Sequence, residues 1–310
     1  MKKIIRKILI GNIPIREYAT ITIPHDIQEQ VYLEINDKKL EVTKNQWVLC
    51  LEPLIFGIWI EDELVKHDLF NKKKCKIIFE DSNSLKTKTA IANLELKETI
   101  EEPNGVLFLL TLKTSRIYSL NFIRTQFLFR RYYKKAGFSF EKFKSFVTAY
   151  SYPRKVRLIS FKSEDHYNIF PMDLVGELKN PNRMVFGLRH TNRTLSRIIT
   201  TEKLIASEIP FTQKDSIYKL GSHHSVNPPL PEDLPFHVSE SNVFGFYIPE
   251  WACSYKEIRI LKTINLGSHM LLWGELINET ILSSPISSLY HIHFLHYLHQ
   301  QKKGIQYPLV

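Results

Sequence analysis

The stretch Arg189-His190-Thr191-Asn192-Arg193 places two guanidinium groups around Thr191 and Asn192, residue types that cap helices well, just ahead of the helical spacing of Leu195, Ile198 and Ile199. Unpaired N–H groups and the positive dipole end at a helix start suit a phosphate. Arg189 and Arg193 would add charge-assisted hydrogen bonds. Capped turns are also common where nothing binds, so the residue types leave an ordinary turn open. A second candidate is His269, which alternation puts on one strand face with Leu271, Trp273 and Glu275. Its plain alternative is a histidine satisfied inside a sheet. His291, His293, His296 and His299 crowd the expected last helix, but no Cys, Asp or Glu beside them completes a metal site. Neither GxGxxG nor GxxxxGK[ST] occurs, so a Rossmann or P-loop nucleotide site is not supported.

Residues 121–149 mix aromatic and basic side chains: Phe122, Phe127, Phe129, Tyr132, Tyr133, Phe138, Phe140, Phe143 and Phe146 alternate with Arg124, Arg130, Arg131, Lys134, Lys135, Lys142 and Lys144. Such a mixture can stack bases and neutralise phosphates, which makes nucleic-acid binding through 121–146 one reading. The helical stripe favours a different one, a helix pair separated at Gly137 that packs its aromatics onto the core or a partner subunit.

The elements that would hold these residues are mostly strands. Tyr18–Pro24, Val31–Ile35 and Leu40–Val42 alternate with period two. Trp47–Ile60 reads as two short buried strands interrupted by Pro53 and Gly57. Lys76–Glu80, Ala90–Leu96 and Val106–Leu112 follow, so the first hundred residues read as β-structure throughout. After 150, strands are expected at Val156–Ser160, Tyr167–Asp173, Arg183–Arg189, Leu204–Ser207, Tyr255–Leu261 and Met270–Ile277, with a helix over Arg193–Thr200. No internal repeat is visible along the residues. The division expected is a β-rich domain over 1–120, a basic-aromatic helical segment over 121–149, and a further domain over 150–310.

The composition, 44% hydrophobic and 24% charged over 310 residues, is that of a globular protein and excludes disordered or fibrous classes. No apolar run reaches the ~18 residues of a membrane helix. The basic start Met1–Lys7 lacks a long apolar stretch and a cleavage site, so a signal peptide is not expected. Cys50, Cys75 and Cys253 form neither an even disulfide framework nor a metal spacing, which points to a reducing, cytoplasmic compartment. A net charge of +10 fits nucleic acid, a membrane surface, a phosphorylated small molecule, or simply a basic surface.

The succession Val156–Ser160, Tyr167-Asn168-Ile169-Phe170-Pro171-Met172-Asp173, Met184–Arg189 with its Thr-Asn turn, and Leu204–Pro210 resembles the flavin reductase-like FMN-binding split-barrel family. Leu266-Gly267-Ser268-His269-Met270-Leu271-Leu272-Trp273-Gly274-Glu275-Leu276 resembles that family's closing strand. The likeness covers residues 150–310 and leaves 1–149 without a counterpart. It implies an α+β, mainly β fold with a split β-barrel in the C-terminal half, and FMN, rather than FAD, held at a homodimer interface. The flavin ring would lie along Phe170, Pro171, Met172 and Asp173, and the phosphate near Arg189, Thr191, Asn192 and Arg193, with Ser207 a further contact. NADH or NADPH would pass hydride to the flavin and His269 would face the site, while the proline-rich loop after His223-His224 reads either as a lid over the flavin or as a plain surface loop. Because the cofactor carries such chemistry, no protein nucleophile need be visible. A non-catalytic flavin carrier or sensor is the alternative within the same likeness.

Overall fold

The computed structural model describes residues 18–23, 27, 29–81, 87–119, 121–134, 137–179, 181–223, 226–284 and 287–302. His224 of the expected lid lies outside them. The chain is mainly β, with helices between strands. The described residues run through β1 (Tyr18–Ile23), β2 (Glu29–Ile35), β3 (Lys38–Glu41), β4 (Gln46–Leu51), β5 (Leu54–Ile60), α1 (Glu63–Lys72), β6 (Lys74–Asp81), β7 (Thr87–Glu102) and β8 (Gly105–Ile117). Helices α2 (Phe122–Leu128) and α3 (Phe140–Ala149) then lead to β9 (Arg154–Lys155), β10 (Arg157–Lys162), β11 (Tyr167–Met172), β12 (Val175–Leu178) and β13 (Arg183–Arg189). The described residues continue with α4 (Leu195–Thr201), β14 (Lys203–Glu208), α5 (Lys214–Lys219), β15 (Val238–Glu240), β16 (Tyr247–Pro249), β17 (Ser254–Asn265), β18 (His269–Ile281), β19 (Ser288–His293) and α6 (Phe294–Lys302).

Two large antiparallel sheets dominate, ordered β3-β2-β6-β7-β8-β5-β4 and β11-β10-β14-β17-β18-β13-β12. Alternation builds them: Val31, Leu33 and Ile35 of β2 all point into the core while their neighbours stay half-exposed. A third sheet, β1-β19-β9, ties residues near the beginning of the chain to residues near its end. No helix among the described residues is long and apolar enough to cross a membrane.

Local chemistry explains where the helices start and stop. Asp62 accepts from the Val65 amide to open α1, and Lys73 closes it in the left-handed conformation. This helix interrupts a region that the sequence reads as continuous strand, because only Val65 and Leu69, beside the buried Lys66, give its buried face apolar side chains. In the other direction, Gly57 does not interrupt a strand but sits within β5. The Arg193–Thr200 helix starts later than its spacing suggests, at Leu195, after Asn192 Oδ1 has accepted from the Thr194 amide. His291 and His293 lie on β19 rather than on the last helix.

Residues 121–149 form the expected helix pair, broken at Gly137 with φ +83°. Phe129, Phe140, Phe143 and Tyr133 pack on one another and on β1, β19 and α6, so these rings are turned inward.

An ion-pair network joins the second sheet to β19 and β9. Glu208 receives the Lys155 ammonium, Arg157 Nη1 at 3.2 Å and the Ser288 hydroxyl at 2.9 Å. Burial alone would raise the Glu208 pKa, yet Arg157 and Lys155 more than reverse that and hold it at about 2. We expect Glu208→Gln to cost about 3 kcal/mol in urea denaturation, since it leaves two largely buried cations short of a partner. Wild-type stability in that variant would show the network to be mere surface pairing.

Candidate functional site at the junction of the two sheets

Strand β4 of the first sheet crosses β12, β13 and β18 of the second. Trp47 lies on Gly176, where a Cβ would fall 2.4 Å from the indole. The Leu49 carbonyl lies on Gly187, where a Cβ would stand 1.9 Å from its oxygen. Two strand glycines therefore set how closely the backbones approach. Around them Leu49, Ile55 and Leu107 of the first sheet share a core with Val185, Leu271 and Trp273 of the second.

At the end of this crossing stands His269, buried and directly opposite Arg189 in the β13–β18 register. Its Nδ1 meets Ser268 Oγ at 2.8 Å and Cys50 Sγ at 3.6 Å. The Glu52 amide donates to Ser268 Oγ and the Ser268 amide to the Glu52 carbonyl, so the first sheet clamps the turn that carries the histidine. Burial first, and then Arg189 and His190, push the His269 pKa down to about 4, against the opposing pull of Asp173 and Glu52. The ring is neutral at pH 7. Lys142 pairs with Glu52 at 2.6 Å and is the main reason that its carboxyl sits below the usual range.

Asp173 lies in the same electrostatic neighbourhood. Its carboxylate accepts from His291 Nδ1 at 2.9 Å and is also bonded by Tyr150. Burial would raise its pKa, but these partners hold it below the ordinary value. It borders a cavity of about 240 Å³ between the sheets, walled by Gln46 and Trp47 from one side and by Tyr152, Arg154 and Gly176 from the other. Arg154 donates from Nη1 to Gln46 Oε1 at 2.8 Å and from Nε to the Ala149 carbonyl, while its buried Nη2 has no partner among the described residues. Arg157 and Glu177 connect this cavity to an adjoining cleft of about 600 Å³.

The remaining candidates are placed differently. Phe170 and Met172 face the interior core, and Pro171 is half-exposed opposite Leu158. Thr191 is exposed, Asn192 is buried on the Thr194 amide, and Arg193 donates to Asn227 Oδ1 at 2.8 Å. Ser207 is buried in β14, separated from β18 by β17, and its hydroxyl has no partner among the described residues. The structure thus sets Arg189 against His269, places Asp173 on the cavity wall with its charge reaching His269, and leaves Arg193 on Asn227 and Ser207 beyond β17. Trp47, Cys50, Glu52 and Arg154 escaped the sequence reading. Only the strand glycines 176 and 187 hinted that another backbone passes there. No group of three or more metal-binding side chains occurs among the described residues.

No protein-family model matches the chain, and no curated protein matches it. Solved structures do. An FMN-binding protein from Thermus thermophilus is 23% identical, with a TM-score of 0.37 over 42% of this chain and 71% of its own. An NADH:FAD oxidoreductase from Streptomyces globisporus is 13% identical, with a TM-score of 0.44 over 48% of this chain and 88% of its own. The styrene monooxygenase flavin reductase from Pseudomonas putida is 12% identical, with a TM-score of 0.38 over 45% of this chain and 88% of its own. The chain is similar in structure to flavin reductase and FMN-binding split-barrel proteins over a little under half of its length.

Proposed function

We propose that the chain binds FMN at the junction of the two sheets and works as a flavin reductase-like oxidoreductase that takes hydride from NADH or NADPH. The observation that carries this reading is the pairing of Arg189 with His269 across β13 and β18, where Cys50 and Glu52 of the first sheet also arrive. The donor set fits a phosphomonoester. Arg189 is exposed and forms no ion pair among the described residues, whereas Arg193 and Asn192 spend their polar atoms on Asn227 and Thr194. The 240 Å³ cavity suits a flat heterocycle, because Trp47 and Tyr152 offer ring surface beside the unpartnered Arg154 Nη2.

In this reading Arg189 holds the phosphate and Asp173, on the cavity wall, lies at the polar edge of the ring. FMN, when bound, supplies the hydride-accepting centre. Neutral His269 adds no second positive charge beside the ring and is kept in place by Ser268 and Cys50. Its burial helps keep water from that end of the site.

Arg189→Ala tests the anchor. We expect FMN affinity to fall tenfold to a hundredfold, the loss of a hydrogen bond to a charged group, about 1.5–3 kcal/mol. Riboflavin, which lacks the phosphate, keeps its affinity. Equal losses for both ligands, or none for either, defeat the assignment. Bleaching of the bound flavin by NADH or NADPH in stopped flow separates a reductase from a carrier.

A further inference from the structure

The two large sheets are built to one plan. Numbered from its own first strand, each runs second, first, fifth, sixth, seventh, fourth, third. Each carries a helix between its fourth and fifth strands, α1 in one and α4 in the other. Both helices end on a left-handed residue, Lys73 at φ 54° and Glu202 at φ 57°, whose amide bonds the carbonyl four residues back before the fifth strand begins. The hairpins of the sixth and seventh strands share their irregularities as well. Register shifts fall between Asn93/Leu94 and Leu96/Glu98 in one, and between Glu257/Ile258 and Ile260/Lys262 in the other, at the same spacing. Bulges are inherited with a fold rather than scattered at random, so this agreement in order, helix, cap and bulge indicates one unit used twice.

The two units pack on one another through the core that holds Leu49, Ile55 and Leu107 against Val185, Leu271 and Trp273. Each unit therefore already has a partner inside its own chain. Two comparable ends follow from the pairing, and they are not alike. Aligning the bulges sets Gly105, the first residue of β8, on His269, the first residue of β18. Opposite His269 stands Arg189; opposite Gly105, one residue beyond the Ile60–Val106 pair, stands Glu61. Glu61 Oε1 there accepts from Trp59 Nε1 at 3.0 Å. One end offers a guanidinium and an imidazole, the other a carboxylate and no side chain.

We propose that this protein is two copies of a seven-stranded unit joined in tandem and folded on each other, that it acts as a single chain rather than a homodimer, and that only the Arg189–His269 end accepts a phosphate-bearing ligand. The first clause stands on topology alone; the ligand clause rests on the flavin reading above. In this proposal the first unit takes the place of the second subunit that the resemblance implies.

Sedimentation equilibrium of the full chain tests the single-chain clause, and FMN titration tests the ligand clause. We expect a particle of 36.5 kDa at all concentrations, binding one FMN, with Arg189→Glu abolishing that binding without changing the mass. A stable particle of twice this mass overturns the self-contained pair. Two FMN per chain, or full binding by Arg189→Glu, overturns the unequal ends. A particle of one chain that binds no FMN upholds the self-contained pair and defeats the flavin reading together with its ligand clause.

Discussion

Gly187→Ala should be among the most destabilising single-methyl changes in this protein. The added Cβ would stand 1.9 Å from the Leu49 carbonyl oxygen and 2.7 Å from its carbon, both backbone atoms of β4. No rotamer relieves that contact. The strand itself must lift off the second sheet, loosening Cys50 and Glu52 from the His269 turn with it. We expect a loss of about 3 kcal/mol, the upper part of the usual range for overpacking, and a fall of several degrees in Tm. Gly57→Ala is the control. Its Cβ would meet Leu49 Cδ1 at 2.5 Å, the end of a side chain that can rotate away. Calorimetry that ranks Gly57→Ala as the more damaging of the two would remove β4 from its place as the hinge of the junction.

Acid should weaken the fold well before its carboxylates protonate. Burial pushes two imidazoles far down, His269 to about 4 and His293 to about 3. For His293 the neighbouring His296 adds to the effect. The Leu295 amide donates to its Nδ1, so the neutral ring keeps its proton on Nε2 and donates it to Tyr133 Oη at 2.9 Å. Between the ordinary histidine pKa of about 6.5 and these lowered values, the unfolded chain binds protons that the folded chain refuses. Stability is therefore full above about pH 6.5 and falls as the pH drops toward 4, by up to about 1.4 kcal/mol per unit for each histidine. Glu208 acts only lower, its contribution present above the ordinary carboxylate pKa and lost as the pH falls through about 2. Urea melts between pH 7 and 4.5 should show this decline, and His293→Gln should reduce its slope by about half. A flat profile over that window would mean that water or a charge reaches both rings.

The strands were legible in the sequence wherever one face is buried, as in Val31, Leu33 and Ile35, because alternation is a direct imprint of burial. Helix α1 was not, since its buried pair, Val65 and Leu69, is set among charged residues that carry no clear period. Arg189, Asp173 and His269 could be singled out because each lies in a local stretch with a recognisable succession. Their neighbours from β4 could not, because contacts made across two sheets leave no local pattern. The duplication was hidden for a related reason. What the units share is strand order, bulges and caps, which constrain residue types loosely, while the positions that differ most, Arg189 against Glu61 and His269 against Gly105, are those a reader would compare first.

The pairing of β1 with β19 also sets a timetable. Tyr18–Ile23 finds its antiparallel neighbour only in Ser288–His293, nearly the whole chain later. At typical synthesis rates of about 5–20 residues per second, that strand waits roughly ten seconds to a minute for its partner. During the wait Ile21 and Ile23, both buried in the finished fold, belong to an open edge that other chains could join. Among the described strands, the last made is the one that seals the first.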